Sequence, residues 1–329
     1  MKIIDLFSGI GGFSLGFQRA GYHFTEHYFS EIDKHAIANY KYNFPHAKNL
    51  GDITTLHGRD FTDIDIITFG SPCQNFSTAG KREGLKGAKS SLIQHAIALI
   101  AEVRPSVFIW ENVKGAFSSN AGADFWAIIQ AFANIGGYRL EFQLLNTKWV
   151  LPQNRERIYL IGHLAGRSQP GVFPITEDDC APRKEKTYQF QDKLSGTLKA
   201  NGNMNADDTY IIPKTASTLT GGGHSGGLHS DMTIIRQLPR GKNKGADLKI
   251  CPTISSNAFQ ENNLLEGVRR LTEIECERLQ GFPDNWTQYG DYNGTIKSIA
   301  RTQRYKLIGN AVTVDIVELI AKRLKFLEQ

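Results

Sequence analysis

A chain of 329 residues with 40% apolar content can bury a core large enough for one large domain and a smaller one. It has no apolar run of the roughly 18 residues a membrane span needs, and Met1-Lys2-Ile3-Ile4-Asp5 reads straight into strand-like sequence with no room for a cleavable signal. Four separated cysteines (Cys73, Cys180, Cys251, Cys276) without a Cys-x-x-Cys pair argue against zinc or a disulfide framework and for a reducing cytoplasm, and a net charge of +5 leans mildly toward a polyanionic partner.

Residues 2–7 read as a buried strand, followed by Gly9-Ile10-Gly11-Gly12 and an amphipathic segment to about Ala20. Residues 24–32 are strand-like and 34–42 helical in pattern. A further apolar run covers 64–69, and 90–103 predicts a helix that stops before Pro105. Residues 107–110 read as a strand, 125–135 as a helix, and 140–145 and 158–161 as the last strands of the series. Strands alternating with helices predict right-handed βαβ units and a mostly parallel sheet covered on both faces.

Around His163 the texture changes. From there to about Val268 the chain is rich in Gly, Asn, Ser, Thr and Lys, which predicts a small, loop-rich domain with short strands. The alternative is a disordered insert, against which Ile211-Ile212, Ile234-Ile235 and Leu264-Leu265 could seed a core. Similar short pieces such as Ser217-Thr218-Leu219-Thr220 and Cys251-Pro252-Thr253-Ile254 recur too irregularly for a solenoid. Helical periodicity returns over 272–279 and again over 311–327, the latter predicting one long amphipathic helix that packs back onto the sheet. The expected division is therefore 1–162 for the sheet domain, 163–268 for the small domain and 269–329 for a returning segment.

The glycines at 9, 11 and 12 follow the first strand directly, where glycine lets the backbone turn tightly and approach a ligand at the C-terminal edge of the sheet. Glu31, ending the second strand, is placed to accept hydrogen bonds from ribose hydroxyls, and Asp52 of Gly51-Asp52-Ile53-Thr54 falls in a later loop at the same edge. Together they point to an adenosine-containing cofactor. An NAD site is the rival, although the spacing is not Gly-x-Gly-x-x-Gly.

Gly70-Ser71-Pro72-Cys73-Gln74 sets a cysteine just past a strand end, where a thiolate with a depressed pKa can act as a nucleophile. A lone cysteine is more often a buried structural thiol, but two further features share its edge. Glu111-Asn112-Val113 follows a strand and would bring a carboxyl group there. In Gln153-Asn154-Arg155-Glu156-Arg157, arginines two apart on an extended chain point the same way and could bracket one anionic or carbonyl-bearing ligand.

The order of these motifs resembles the DNA (cytosine-5)-methyltransferases of bacterial restriction–modification systems and phages. The resemblance runs through Asp5–Phe13, Glu31, Gly51-Asp52-Ile53, Gly70–Ser77, Leu92, Glu111-Asn112-Val113 and Gln153–Arg157. It resumes over Arg270–Pro283 and Tyr305–Val312. It implies a Rossmann-like class I methyltransferase fold using S-adenosylmethionine, with the variable target-recognition domain falling over 163–268. In the implied chemistry the Cys73 thiolate adds to C6 of a flipped-out cytosine, Glu111 acts at N3, Arg157 holds O2, and Arg155 supports the pocket and the cysteine loop.

For the cofactor, the resemblance implies adenine between Phe7 and Ile32, ribose on Glu31, and the adenine edge on Asp52 and Ile53. Gly9, Ile10, Gly11, Gly12, Pro72, Leu92, Asn310 and Val312 would line the methionine portion. Relatives often carry an aromatic residue where Ile32 stands and a serine at Ala311. In the variable region, Thr253-Ile254 is the first candidate for the family's Thr-aliphatic pair, with Thr218-Leu219 second. The run Gly221–Gly227 would enter a groove or form a mobile surface loop, and Arg236, Arg240, Lys242 and Lys244 would contact phosphates or line a solvated turn.

The substrate implied is double-stranded DNA, because sequence readout needs loops that reach the major groove. An RNA (tRNA) methyltransferase on the same scaffold and a non-catalytic DNA-binding regulator are the alternatives, with an NAD-dependent dehydrogenase a remote one. A monomer without an obligate protein partner, and no metal, are expected.

Overall fold

The computed structural model describes residues 1–71, 91–180 and 269–327, together with four short backbone strands between the last two stretches. Eight strands come from the first half: β1 (Lys2–Leu6), β2 (Glu26–Ser30), β3 (Lys48–Asn49), β4 (Ile66–Gly70), β5 (Val107–Val113), β6 (Tyr138–Asn146), β7 (Gln153–Asn154) and β8 (Glu156–Leu164). Seven of them form one sheet in the order β3-β2-β1-β4-β5-β8-β6. Pairings from β3 through β5 are parallel. β8 alone is reversed, antiparallel to both β5 and β6.

Because both faces of this sheet are covered at its centre, β1, β4, β5 and β8 are largely apolar rather than alternating. On one face Ile4, Leu6, Ile67, Phe69, Phe108, Trp110, Ile158 and Leu160 pack under α3 (Ser91–Val103) and α4 (Ala123–Asn134). On the other, Ile3, Ile66, Val107, Ile109, Tyr159 and Ile161 meet α1 (Gly12–Arg19) and the C-terminal α7 (Val314–Arg323). A third core joins α2 (Lys34–Asn43) to α5 (Glu273–Leu279) and α6 (Arg301–Asn310), with Tyr40 stacked on Phe29 at 4.1 Å between ring centroids. Thr272 and Glu275 close a reciprocal cap at the start of α5, as Thr-x-x-Glu predicts. No helix among the described residues is long and apolar enough to cross a membrane.

The long C-terminal helix expected over 311–327 is not formed. Ala311 is extended at φ −72°, ψ 155°, and the link to α7 is held by partners outside it. Arg155 Nη2 donates to the Ala311 carbonyl at 2.8 Å, Val314 N donates to the Gln280 carbonyl at 3.0 Å, and Thr313 Oγ1 lies 2.8 Å from Thr147 Oγ1. After α7 the chain ends in a strand. Together, β9 (Ser168–Gln169) and Lys325–Phe326 form an antiparallel pair, tied further by Ser168 Oγ donating to the Lys325 carbonyl.

In the region between 235 and 270 the described backbone forms β10 (Ile235–Gln237), β11 (Ala246–Leu248), β12 (Cys251–Pro252), β13 (Asn263–Leu265) and β14 (Arg269–Arg270). Four of these make a second sheet in the order β11-β10-β13-β14. β12 instead pairs in parallel with β7. The hairpin β15 (Tyr289–Tyr292) and β16 (Thr295–Ser298), followed at the chain's end by β17 (Lys325–Phe326), completes the strands. Its turn, Asn293-Gly294, has both residues at positive φ (56° and 86°), the signature of a two-residue type I′ turn.

One buried polar cluster lies beneath the first strand-to-helix turn. Asp5 is fully buried and accepts from Thr68 Oγ1 at 3.0 Å, Tyr40 OH at 3.2 Å and Ser14 Oγ at 3.3 Å, with His27 Nε2 within 2.9 Å of Ser14 and 2.8 Å of Tyr40. Burial pushes the Asp5 carboxyl up to about 7 against the pull of those hydroxyls, and burial pushes His27 down to about 4. A carboxyl raised in the folded state contributes stability at low pH and loses it as pH rises from about 4 to about 7. Asp5→Asn should therefore gain on the natural protein by up to a few kcal/mol across that window, since His27 titrates in both and cancels. Urea melts of the two proteins between pH 4 and 8 check this; parallel curves would show that burial does not raise the Asp5 carboxyl.

Candidate active site

Strands β1, β2, β4 and β5 run the same way and end at one edge, so the turns that follow them converge there. After β1 the chain passes through Phe7 and Gly9 at positive φ (50° and 54°). Gly9 N donates to Glu31 Oε2 at 2.9 Å, and Gly11 N to the Ser8 carbonyl at 2.9 Å. The other oxygen of Glu31 accepts from the backbone of Ile32 at 2.8 Å and Asp33 at 2.9 Å. Three backbone donors thus fix this carboxylate while leaving room for one more, since it can accept about four.

Around this carboxylate the surface is open. A Cβ at Gly9 would meet nothing within 4 Å, and Ile32 is 75% exposed despite being apolar. Asp52 is exposed, its carboxyl held below the usual range by the backbone N–H of Thr54. Ser8 Oγ is buried with no hydrogen-bond partner among the described residues. The side chains of Ile10 and Ile53 do not line this ground. Both are buried in cores, so only their backbones can border it. The Ile10 carbonyl accepts from Trp286 Nε1 at 2.9 Å, a buttress with no signal in the spacing of the motifs. Asp33, capping α2, pairs with Lys306 of α6 at 2.6 Å. Burial pushes its carboxyl up, but that pair and two backbone N–H groups more than offset it.

Next along the edge, Gly70 ends β4 opposite Glu111. Glu111 is not past its strand but within it, because β5 continues through Val113. Its carboxylate is buried, with Oε2 only 3.2 Å from where a Cβ at Gly70 would stand. Arg157 Nε lies 3.0 Å from Oε1, an ion pair rather than a linear hydrogen bond, and Oε1 receives no hydrogen bond among the described residues. Burial, then the charge of Glu111, raises the phenol pKa of Tyr159 across the strand.

Arg155 and Arg157 do not bracket one point. The buried Arg155 reaches the Ala311 carbonyl, while Arg157 stays beside Glu111. Val312 closes the gap between the two turns: its Cγ2 is 2.7 Å from the Cβ position of Gly12 and its Cγ1 is 3.9 Å from that of Gly70. Asn310 is exposed at the end of α6 and Leu92 is half-buried in α3. Pro72 and Cys73 lie outside the described residues, as do Thr218, Arg240 and Thr253. Arg236 is the central residue of β10. β12, which immediately precedes Thr253, pairs with Gln153-Asn154 next to Arg155.

A family model described as C-5 cytosine-specific DNA methylase matches residues 1–326. The chain is 30% identical to the type II methyltransferase M.Bsp6I of Bacillus sp. (strain RFL6), over 98% of each chain. It is 32% identical to the type II methyltransferase M.NgoBI of Neisseria gonorrhoeae, over 98% of this chain and 92% of that one. Among solved structures, a prophage-encoded DNA modification methyltransferase (E. coli) matches with a TM-score of 0.59 at 22% identity, covering 98% of this chain and 97% of the other. The S. pombe Dnmt2 methyltransferase matches with a TM-score of 0.57 at 20% identity, over 97% and 96%. At these identities the two structures share the fold.

The glycines of the first turn divide by what surrounds them. Gly11 and Gly9 both sit at positive φ, so alanine costs about 1 kcal/mol of backbone strain at either. At Gly11 the new Cβ would also lie 2.4 Å from Phe44 Cε2, adding about 1–3 kcal/mol of overpacking. Denaturant melts should show Gly11→Ala clearly the less stable of the two; equal losses would mean that Phe44 yields freely.

Proposed function

The chain belongs to the C-5 cytosine-specific DNA methylase family, and we propose that it transfers a methyl group from S-adenosylmethionine to C5 of a cytosine turned out of duplex DNA, through a covalent bond between Cys73 and C6. That it is a DNA (cytosine-5-)-methyltransferase follows from the family. The observation that carries the finer reading is the buried Glu111 carboxylate beside Arg157 and Gly70, the latter three residues before Cys73 in the sequence. Residues 163–268 form the target-recognition domain in this reading, and DNA is met by a monomer.

The residues after β1 and β2 fit an adenosyl sulfonium. Exposed Ile32 and half-buried Phe7 offer apolar faces for adenine, Glu31 keeps an acceptor site for a ribose hydroxyl, Asp52 would stand at the adenine edge, and the open side of Gly9 with the orphaned Ser8 hydroxyl admits a polar ligand. Gly12, Leu92, Asn310, Val312 and Pro72 would hold the methionine portion. When bound, the cofactor supplies an electrophilic methyl group.

Cytosine C5 is a poor nucleophile, and the protein's task is to push electrons to it. The Cys73 thiolate forms a bond to C6, the ring electrons move toward N3, and Glu111 supplies the proton there. C5 is then part of an enamine. After methylation a base removes the C5 proton, the 5,6 double bond re-forms, Cys73 leaves as thiolate, and N3 returns its proton to Glu111. Arg157, beside that carboxylate, is suited to hold the cytosine O2, and Arg155 steadies the wall at Ala311. Neither carbon is reachable in a stacked pair, so the base must be extruded at a cost of a few kcal/mol. Thr253, just past β12, and Thr218 are the proposed base-reading residues, and Arg236 and Arg240 contact phosphates.

Purified protein is incubated with methyl-tritiated S-adenosylmethionine and either plasmid DNA or tRNA. Label should enter DNA; label in tRNA alone would overturn the substrate. Glu111→Gln should lower kcat by roughly 10²–10⁴ while DNA binding persists. Duplex carrying 5-fluorocytosine should trap a covalent adduct, since fluorine cannot leave as the proton does, and Cys73→Ala should abolish it. An adduct surviving in that variant would show another nucleophile.

A further inference from the structure

Strand β5 carries a second feature beside Glu111. Trp110 is fully buried in the core under α3 and α4, where an indole N–H left without a partner would carry a desolvation penalty. That N–H donates out of the core to Ser71 Oγ at 3.0 Å. Asn112 Nδ2, two residues on and so on the same face, donates to the same oxygen at 3.3 Å. Ser71 is itself buried and lies two residues before Cys73 in the sequence. Glu111, between the two donors, points to the opposite face and meets Gly70 and Arg157.

We propose that Trp110 is a positioning residue for methyl transfer: through Ser71 it fixes where the segment carrying Cys73 leaves the sheet relative to Glu111. The proposal rests on Cys73 being the nucleophile. Three consecutive residues then set both halves of the site. Trp110 and Asn112 grip the start of the cysteine segment from one face, and Glu111 presents the carboxyl group on the other. Any rotation of β5 would move both together, so their separation is fixed by the strand itself. An indole is required rather than a phenyl ring, because only the indole carries a donor that reaches past the strand end.

The test uses the full chain with Trp110→Phe, Ser71→Ala and Ser71→Thr, and follows the rate of adduct formation on 5-fluorocytosine duplex in a single turnover across pH 6–9. Trp110→Phe and Ser71→Ala should each slow trapping by roughly tenfold to a hundredfold, with a shifted pH profile and cofactor affinity unchanged. Ser71→Thr, which keeps the hydroxyl, should recover most of the rate. The double variant Trp110→Phe/Ser71→Ala should be no slower than Ser71→Ala alone, because that single variant already removes the Trp110–Ser71 contact. Trapping at the natural rate and pH profile in Trp110→Phe would overturn the proposal, as would multiplicative losses in the double variant. Should Trp110→Phe not fold, Ser71→Ala against Ser71→Thr decides alone: equal rates overturn the proposal. An adduct persisting in Cys73→Ala fails differently, since it removes the nucleophile on which the proposal stands.

Discussion

Val312 packs between Gly12 at the start of α1 and Gly70 at the end of β4, and most of the candidate site's geometry depends on that packing. Its methyl groups take the volume a side chain at Gly12 would need and touch the end of β4 at Gly70. Close packing of this kind tolerates no added methylene without a shift of backbone. The last sixty residues therefore do more than cover the sheet. The link 311–313, kept extended by Arg155, Gln280 and Thr147, forms the wall between the turn after β1 and the end of β4.

The reversed strand β8 has a matching role at the other end. Had β8 run parallel to β5, the residues entering it would lie at the opposite edge of the sheet. Running antiparallel, it brings Arg157 opposite Val113 and so next to Glu111, with Arg155 two residues earlier reaching to Ala311. One short segment thus supplies a cation to the buried carboxylate and a second to the wall. Removing Arg157 would leave Glu111 without its countercharge, and an uncompensated buried carboxylate is costly.

Much of this was legible before any coordinates. Continuous apolar runs marked β1, β4 and β5 because strands buried on both faces have no polar side to show, and Glu31 could be singled out because it ends the second strand-like segment. Other features were hidden for definable reasons. Glu111 reads as lying beyond its strand since the charged residue interrupts the apolar pattern, yet the ladder to β8 carries the strand three residues further, to Val113. Ile10 and Ile53 belong to motifs expected to meet a ligand, but an aliphatic residue in a turn goes where the core can take it. The periodicity from Ala311 onward continues a helix on paper. What breaks it is a set of hydrogen bonds from Arg155, Gln280 and Thr147, partners over thirty residues away in sequence, and no local pattern records them. The Asn293-Gly294 turn, by contrast, carried a short-range hairpin signal that the weak apolarity of its flanking strands obscured.

The distribution of charge along this edge bears on how a site built from carboxylates can receive a polyanion. Each buried or half-buried acid there has its charge answered locally. Glu111 has Arg157, Asp33 has Lys306, and Glu156 has Lys114, while Glu31 has three backbone N–H groups. Fields from matched pairs fall off faster than those of single charges, and beyond about 10 Å they are largely screened by salt. A phosphate backbone approaching from outside would meet the net charge of +5 rather than the acids. Only a group that enters the pocket comes close enough to feel the Glu111 carboxylate itself. In the proposed reaction the acids could then act on a base and a cofactor without repelling the duplex that delivers the base.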